Sequence, residues 1–485
     1  YYKGWWDMHF AEGPGVYKDE LYKNPTNFLR NSTNLSEIIF WGEEGAIGTP
    51  PRLQLAKDAF EKSKTLGYDG DYYVDQYHAF DKYLKEKKFD KAFPSLDDLC
   101  LSFGNNAMYY QGRIIENIRI SNTVDGYVVN GWENTKIENH SGVVDIWRNP
   151  KGNPAIMAKY NQPLYIAVKI RNKVLAVGDT TNVDFFIINE KNIKGKAQLQ
   201  VQIIDDANNI IQENTYPVNI SGGNMYGELL KENYFFVTKT KGYKTISAKL
   251  LQNNQALTTG SDQIFAADLH PEKITTPIAI NDTSGTINKI FNNSHIPYFD
   301  LKNKMDFKQK IIVLAGGNDA FLKNTWQNHN DFLEWVADGN VAICLKGSEA
   351  FCEFLEKKEV LDYYGSQKIG TVWYGGNFFN KTHPFFNDLP ANTAFNWEYQ
   401  CFAAYNKERV GLRLKGEEAV VGTYADHRKE MFTSVAIIPV GRGKIIVSTL
   451  DFANAIGKEN SPSAAVAKKL LENYLLYAQN WINEF

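Results

Sequence analysis

The spacing of apolar and polar positions changes character twice along this chain, near residues 155 and 270. In the first stretch, Ser36-Glu37-Ile38-Ile39-Phe40-Trp41 is a compact apolar run that stops at Gly42-Glu43-Glu44-Gly45, which predicts a buried strand followed by a polar loop. Apolar residues recur at helical spacing over residues 53–64 (LQLAKDAFEKSK) and 107–120 (AMYYQGRIIENIRI). Residues 126–132 (GYVVNGW) then predict a second buried strand. Strands separated by helices predict a parallel β/α arrangement over residues 1–155.

Residues 156–270 alternate apolar and polar side chains in YIAVKIRN, NVDFFIIN, AQLQVQIID, YFFVTKT and YKTISAKLL, with polar turns between them. That pattern predicts an antiparallel β-sandwich of the immunoglobulin-like kind. From residue 271 to 485 the chain returns to α/β. TPIAIND, KIIVLAGG and NVAICLKG are predicted strands. FLEWVADG, AFCEFLEKKEVLDYYG and the final SAAVAKKLLENYLLYAQNWINEF are predicted helices. The alternation predicts a doubly wound sheet. Three units are expected: 1–155, 156–270 and 271–485, with few contacts crossing the junctions near 152–160 and 268–276.

Composition narrows the function. The formal net charge is −3 over 485 residues, which argues against a nucleic-acid partner. Aromatic residues make up 14%, which fits either stacking on sugar rings or large β-rich cores. Four cysteines without a Cys-x-x-Cys pair give neither a disulfide scaffold nor a zinc site, and no cofactor or metal is expected. No apolar run reaches the length of about 18 residues that a membrane-spanning helix requires. The opening Tyr1-Tyr2-Lys3-Gly4-Trp5-Trp6 has neither an initiating Met nor a signal-peptide pattern, so the expectation is a piece of something longer.

The sharpest chemical feature is the carboxylate pair Glu43-Glu44, set between glycines just past an apolar strand. From pattern alone it is either a solvated turn or a strand-end catalytic group. The Glu-x-Gly at Glu43–Gly45 resembles the nucleophile segment of glycoside hydrolase family 2, the family of β-galactosidases, β-glucuronidases and β-mannosidases. Glu44 stands where that family usually has an aromatic residue. Tyr1–Trp6 resembles the Tyr-x-Gly-Trp stretch that closes barrel strand six. Gly126–Glu133 resembles strand eight, and Gly142-Val143-Val144-Asp145 through Arg148-Asn149-Pro150-Lys151 resembles the exit from the barrel.

The resemblance implies that residues 1–155 are the C-terminal portion of a (β/α)8 barrel, with a β-sandwich and a further α/β domain behind it. It implies a retaining exo-β-glycosidase acting on terminal sugars of oligo- or polysaccharides by double displacement. Such a site needs two carboxyl groups roughly 5–5.5 Å apart, one as nucleophile and one as acid/base. Glu43 is the implied nucleophile. Tyr2, Trp5, His9, Glu44, Asn130, Trp132 and Glu133 are the implied contacts to the sugar. The family's acid/base lies on an earlier strand with no counterpart here, so the implied partners are a carbohydrate substrate and a missing N-terminal half, with a homo-oligomer as a further expectation. A periplasmic or extracellular place is implied by the resemblance alone. The alternative is a non-catalytic carbohydrate-binding or scaffolding protein.

Residues 271–485 resemble the glutamine-amidotransferase-like, flavodoxin-like domain that some β-galactosidase relatives carry as an accessory. An active amidotransferase needs Gly-x-Cys-x-Gly and His-x-Glu. Cys344 sits in Ala342-Ile343-Cys344-Leu345-Lys346-Gly347, and no His-x-Glu occurs, so Cys344 is expected to be an inert core residue.

Overall fold

A computed structural model describes residues 5–10, 38–44, 48–64, 67, 69–120, 122, 125–129, 132–133, 135–136, 142–223, 226–301, 308–316, 330–369, 377–403, 410–425, 428–457 and 463–484. The chain is a mixture of α/β and all-β parts.

The first part holds strands β1 (Trp5–Phe10), β2 (Ile38–Glu44) and β3 (Gly126–Val129), all parallel, with β2 in the middle. Helices α1 (Leu53–Ser63), α2 (Gly70–Glu86) and α3 (Leu96–Ile120) fall between β2 and β3. Parallel neighbours need such a crossover, so this order follows from the strand directions. Strand β2 differs from expectation by running on through Gly42, Glu43 and Glu44, where a polar loop is predicted. The backbone ladder to β1 and β3 continues there, which a glycine in a strand tolerates where the register shifts.

The middle part is a two-layer sandwich. One sheet has the order β5-β11-β10-β7-β8: β5 (Val174–Ala176), β7 (Gly195–Asp205), β8 (Ile210–Ile220), β10 (Gly242–Gln252) and β11 (Gln255–Ala267). The other has β4 (Leu164–Ile170), β6 (Thr180–Asn189) and β9 (Gly227–Val237). Ile166, Val168, Val183 and Phe185 point inward and meet Leu199, Val201, Ile246 and Ala248. Tyr165, Ala167, Phe186 and Ile188 lie on the opposite face of the small sheet, where Ile120 and Tyr160 cover them. Both faces of β4 and β6 are therefore buried, which explains their near-continuous apolar runs.

The last part is a large sheet. Five strands run parallel in the order β13-β12-β14-β15-β21: β12 (Ile278–Asn281), β13 (Tyr298–Asp300), β14 (Ile311–Leu314), β15 (Val341–Cys344) and β21 (Gly443–Ser448). Strands β16 (Asp362–Lys368), β18 (Val410–Lys415), β19 (Glu418–Tyr424) and β20 (Met431–Val440) extend it antiparallel, and β17 (Phe378–Asn380) pairs with β19. Ile278, Ile280, Ile311 and Val313 face one core, shared with Ile287 and Phe291 of α5 (Thr286–Asn293) and Leu470 and Tyr474 of α10 (Ala464–Asn483). Ala279, Ile312, Ala342 and Cys344 face the other, shared with α6 (Asn330–Ala337) and α7 (Ser348–Lys357). The predicted helix through residue 365 stops at Lys357, and Asp362–Lys368 is strand β16 instead.

The three parts are bound through their cores. Leu53, Phe80, Phe89 and Phe103 pack against Phe379, Ala419 and Tyr424. Tyr110 and Ile114 of α3 join Phe265 and Ile278 in one cluster. Contacts thus cross both junctions that the sequence marks as sparsely connected. Along the second, His270 N–H donates to Glu472 Oε2 at 2.8 Å, and Gln479 Oε1 accepts from Thr275 N–H at 2.8 Å and Thr276 N–H at 2.9 Å.

A charged network lies buried where α3 meets the sandwich. Arg113 contacts Glu116 at 3.1 Å and Asp262 at 3.3 Å. Lys169 Nζ lies 3.2 Å from Glu116 and donates to Asn117 Oδ1 at 2.6 Å. Lys173 Nζ reaches Asp262 Oδ1 at 2.6 Å and stands 4.3 Å from the Trp397 ring centre. Tyr165 OH donates to Glu116 Oε2 at 2.8 Å. Burial lowers the Lys169 ammonium to a pKa of about 7 and that of Lys173 to about 8, with Arg113 adding repulsion and the carboxylates opposing both.

Candidate functional site

The backbone register assembles the candidate site. Across β1 and β2, Trp5 pairs with Ile38, His9 with Glu43 and Phe10 with Glu44. Across β2 and β3, Trp41 pairs with Tyr127 and Glu44 with Val129. Because the strands are parallel, the C-terminal ends of all three lie together. The register brings His9 beside Glu43 and Glu44 beside the end of β3. Both ladders slip there, between Met8 and His9 and between Trp41 and Glu44. Irregular pairing of this kind re-aims strand ends and is frequent next to active sites.

The expected residues do not all fall at that end. Trp5 opens β1, four residues before His9. At about 3.3 Å per residue that is roughly 13 Å from the end where Glu43 lies. The sequence reading has Tyr1–Trp6 closing a strand, whereas Trp5 begins one. Its apolar aromatic character is equally suited to either end of a strand, so composition could not decide the register. Tyr2 and Asn130 lie outside the described residues. For Trp5, His9, Glu43 and Glu44 the description is of the backbone.

Beyond β3, Trp132 is 61% exposed, as a platform for a flat ligand must be. Its carbonyl accepts from Val144 N–H at 3.1 Å, and Glu133 forms a bridge with Val144. Glu133 also ion-pairs with Arg148 at 3.1 Å. This pairing takes part of the carboxylate's capacity and ties it to the following turn. Asp145 builds that turn: its Oδ1 accepts from the N–H groups of Trp147 and Asn149, each at 2.8 Å, and its Oδ2 from Asn149 Nδ2 at 2.9 Å. Arg148 adopts φ +64°, held by this turn. Below Trp132 a cavity of about 260 Å³ is lined by Met108, Val143, Pro154 and Met157.

The sequence reading did not single out Arg148 as the partner of Glu133, and no signal short of the fold would have revealed it. Among the described residues no group of three His, Cys, Asp or Glu side chains is placed to hold a metal. No helix among them is long and apolar enough to cross a membrane. Cys344 is fully buried, and burial pushes its thiol up to about 12. It is therefore protonated at neutral pH and a poor nucleophile.

No known family profile matches this sequence, and no curated protein matches it. Solved structures give partial matches. A β-D-mannosidase from Dictyoglomus thermophilum is 12% identical over 54% of this chain and 30% of its own, with a TM-score of 0.29. A glycosyl hydrolase family 2 member from Bacteroides cellulosilyticus is 12% identical over 38% of this chain and 25% of its own, with a TM-score of 0.19. The CARDB domain of a Pyrococcus furiosus protein is 11% identical over 21% of this chain and 84% of its own, with a TM-score of 0.16. This chain spans about a quarter to a third of the two glycosidase chains, and scores of this size define no shared fold.

Proposed function

We propose that this chain supplies the nucleophile side of a retaining exo-β-glycosidase site of the glycoside hydrolase family 2 kind. The observation that carries the reading is the parallel register that sets Glu43 at the C-terminal end of the central strand, beside His9 and next to two ladder irregularities. In a β/α barrel that end is where catalytic groups stand. Glu43 attacks the anomeric carbon, and a second carboxyl group outside this chain protonates the leaving oxygen and later activates water. Trp132 stacks on the sugar, and Tyr2, His9, Glu44, Asn130 and Glu133 are its polar neighbours. On this reading residues 1–155 are the end of the barrel and 156–270 an immunoglobulin-like sandwich. Residues 271–485 are a flavodoxin-like accessory, which the strand order of their parallel half supports. A place outside the cytoplasm and assembly with further copies belong to the same reading.

The exposed Trp132 favours one second reading, a sugar-binding protein without turnover. A 2-fluoro-glycoside separates the two, because only a nucleophile is trapped as a covalent glycosyl-enzyme. On the complete protein, mass spectrometry is expected to place the label on the peptide at Glu43, and Glu43→Gln is expected to lower turnover by several orders of magnitude with folding intact. Label on Glu44, or binding without label, would overturn the assignment.

A further inference from the structure

One stripe of helix α10 stays open to solvent. Asn473, Tyr477, Asn480 and Glu484 follow one another at spacings of three and four, so they share a side of the helix. The short turns Pro271–Lys273 and Pro384–Phe386 border that side. Together they form a groove of about 460 Å³. It is within the range of about 300–1,000 Å³ usual for small-molecule sites.

The wall is fixed by bonds that leave particular atoms unused. Asn473 is 4% exposed, and its Nδ2 donates to Phe385 O and Asn387 O, both at 2.9 Å. Those two carbonyls settle which end of the amide is nitrogen. Its Oδ1 has no partner among the described residues and is left to accept from an occupant of the groove. Tyr477 OH accepts from Lys444 Nζ at 2.8 Å and keeps its own hydrogen to donate. The side-chain amides of Asn387 and Asn480 are exposed and have no partner among the described residues. Each offers a donor and an acceptor side by side. Trp481 is anchored by its Nε1, which donates to Arg442 O at 3.0 Å, and its half-buried ring borders the groove with that of Tyr477.

The charges nearby are balanced in sign. Lys273 and Lys444 stand against Glu272 and Glu484, and Lys241 is paired with Asp388. His383, 5.4 Å from the Tyr477 ring, is neutral at pH 7 because burial lowers its pKa to about 4. An ion of either sign would be opposed as much as attracted. Unused planar amides beside half-buried aromatic rings suit an uncharged ligand with neighbouring hydroxyl groups and apolar C–H faces. A peptide would need a strand edge or a run of apolar pockets, whereas this wall is one helix and two helical turns with a polar lining.

We propose that this groove binds a neutral oligosaccharide, without turnover, at a site separate from Glu43. The choice of a sugar rests on the groove's own chemistry and does not depend on the glycosidase reading.

Saturation-transfer NMR of the intact chain with cellotriose, β-1,4-mannotriose, β-1,4-galactotriose and xylotriose tests it, with tetraalanine as the peptide control. At least one trisaccharide is expected to bind saturably, with the strongest transfer to ring C–H protons. Asn387→Ala combined with Asn480→Ala is expected to weaken that binding at least tenfold. Both asparagines are exposed, so circular dichroism should be unchanged. Trp132→Ala is expected to leave the groove's affinity intact. Binding at the Glu43 site alone would show the reverse, lost in Trp132→Ala and kept in the asparagine variant, and would overturn the proposal. So would absence of transfer to all four trisaccharides, or stronger transfer to tetraalanine.

Discussion

Lys169 and Lys173 are held charged only at a cost, because burial removes their hydration. Their folded pKa values lie below the ordinary 10.5, at about 7 and about 8. The folded chain therefore releases these protons at lower pH than the unfolded chain does. Below pH 7 both states are protonated and the full cost of burying the charge is present. Between about pH 7 and 10.5 the unfolded state binds more protons, so stability rises with pH. Urea unfolding at pH 7, 8 and 9.5 is expected to show the wild-type chain gaining stability relative to Lys169→Met. Parallel pH profiles would show that the lysine is not desolvated. At the same scale, Phe379 is fully buried, with ring centres 4.9 Å from Phe89, 5.9 Å from Phe93 and 6.2 Å from Phe103. Phe379→Ala is expected to cost about 3–5 kcal/mol. Denaturation midpoints read this directly, and a loss under 1 kcal/mol would mean that the cluster collapses around the gap.

Helix α3 shows how elements are placed and why the sequence revealed only part of them. A Cβ on Gly112 would lie 2.1 Å from the Tyr160 ring, and one on Gly104 would lie 2.0 Å from Lys151 O. The two glycines are eight residues apart and so share a face, along which the segment after β3 lies close. Gly112→Ala is expected to displace Tyr160 and destabilise the chain despite alanine's better helix propensity. A stability equal to or above wild type would refute the close contact. Residues 107–120 are legible as helix because Ile114, Ile115 and Ile118 repeat at helical spacing, but Asp97, Asp98, Gly104, Asn105 and Asn106 hide its first three turns. Tertiary packing around Leu99, Cys100 and Phe103 decides the helix there. The end of α7 was hidden for another reason. Glu359 takes φ +57°, a left-handed stop normally marked by glycine, so nothing in the sequence separates α7 from β16. In the candidate site, the apolar run before Glu43 marks a strand, but the glycines beside it suggest a loop where β2 in fact runs on to Glu44. The neighbour of Glu43 in the ladder, His9, depends on a register that composition does not encode.

At the scale of the whole molecule, the seams are as well made as the parts. Gln479 binds both Thr275 and Thr276 through Oε1 and Lys273 O through Nε2 at 2.8 Å, fastening the strand-to-sheet connection along α10. The native chain is expected to resist trypsin at Lys273, and Gln479→Ala to make that bond cleavable while the sandwich stays protected. Equal cleavage in both forms would show that the clasp does not govern access.

The clusters that join the first helices to the last sheet have a kinetic consequence. Tyr424 OH meets Gly48 O across 376 residues of sequence, Gln76 Nε2 meets Arg428 O across 352, and Tyr83 OH meets Phe432 O across 349. During synthesis the aromatic surface of α1 and α2 has no lid until β19 and β20 have left the ribosome. At about 5–20 residues per second that wait is tens of seconds. Contacts of such high order also make refolding slow. The early helices are therefore the surface for which chaperones and aggregation compete, and a chain truncated before β19 should accumulate in the insoluble fraction even though its own helices are complete.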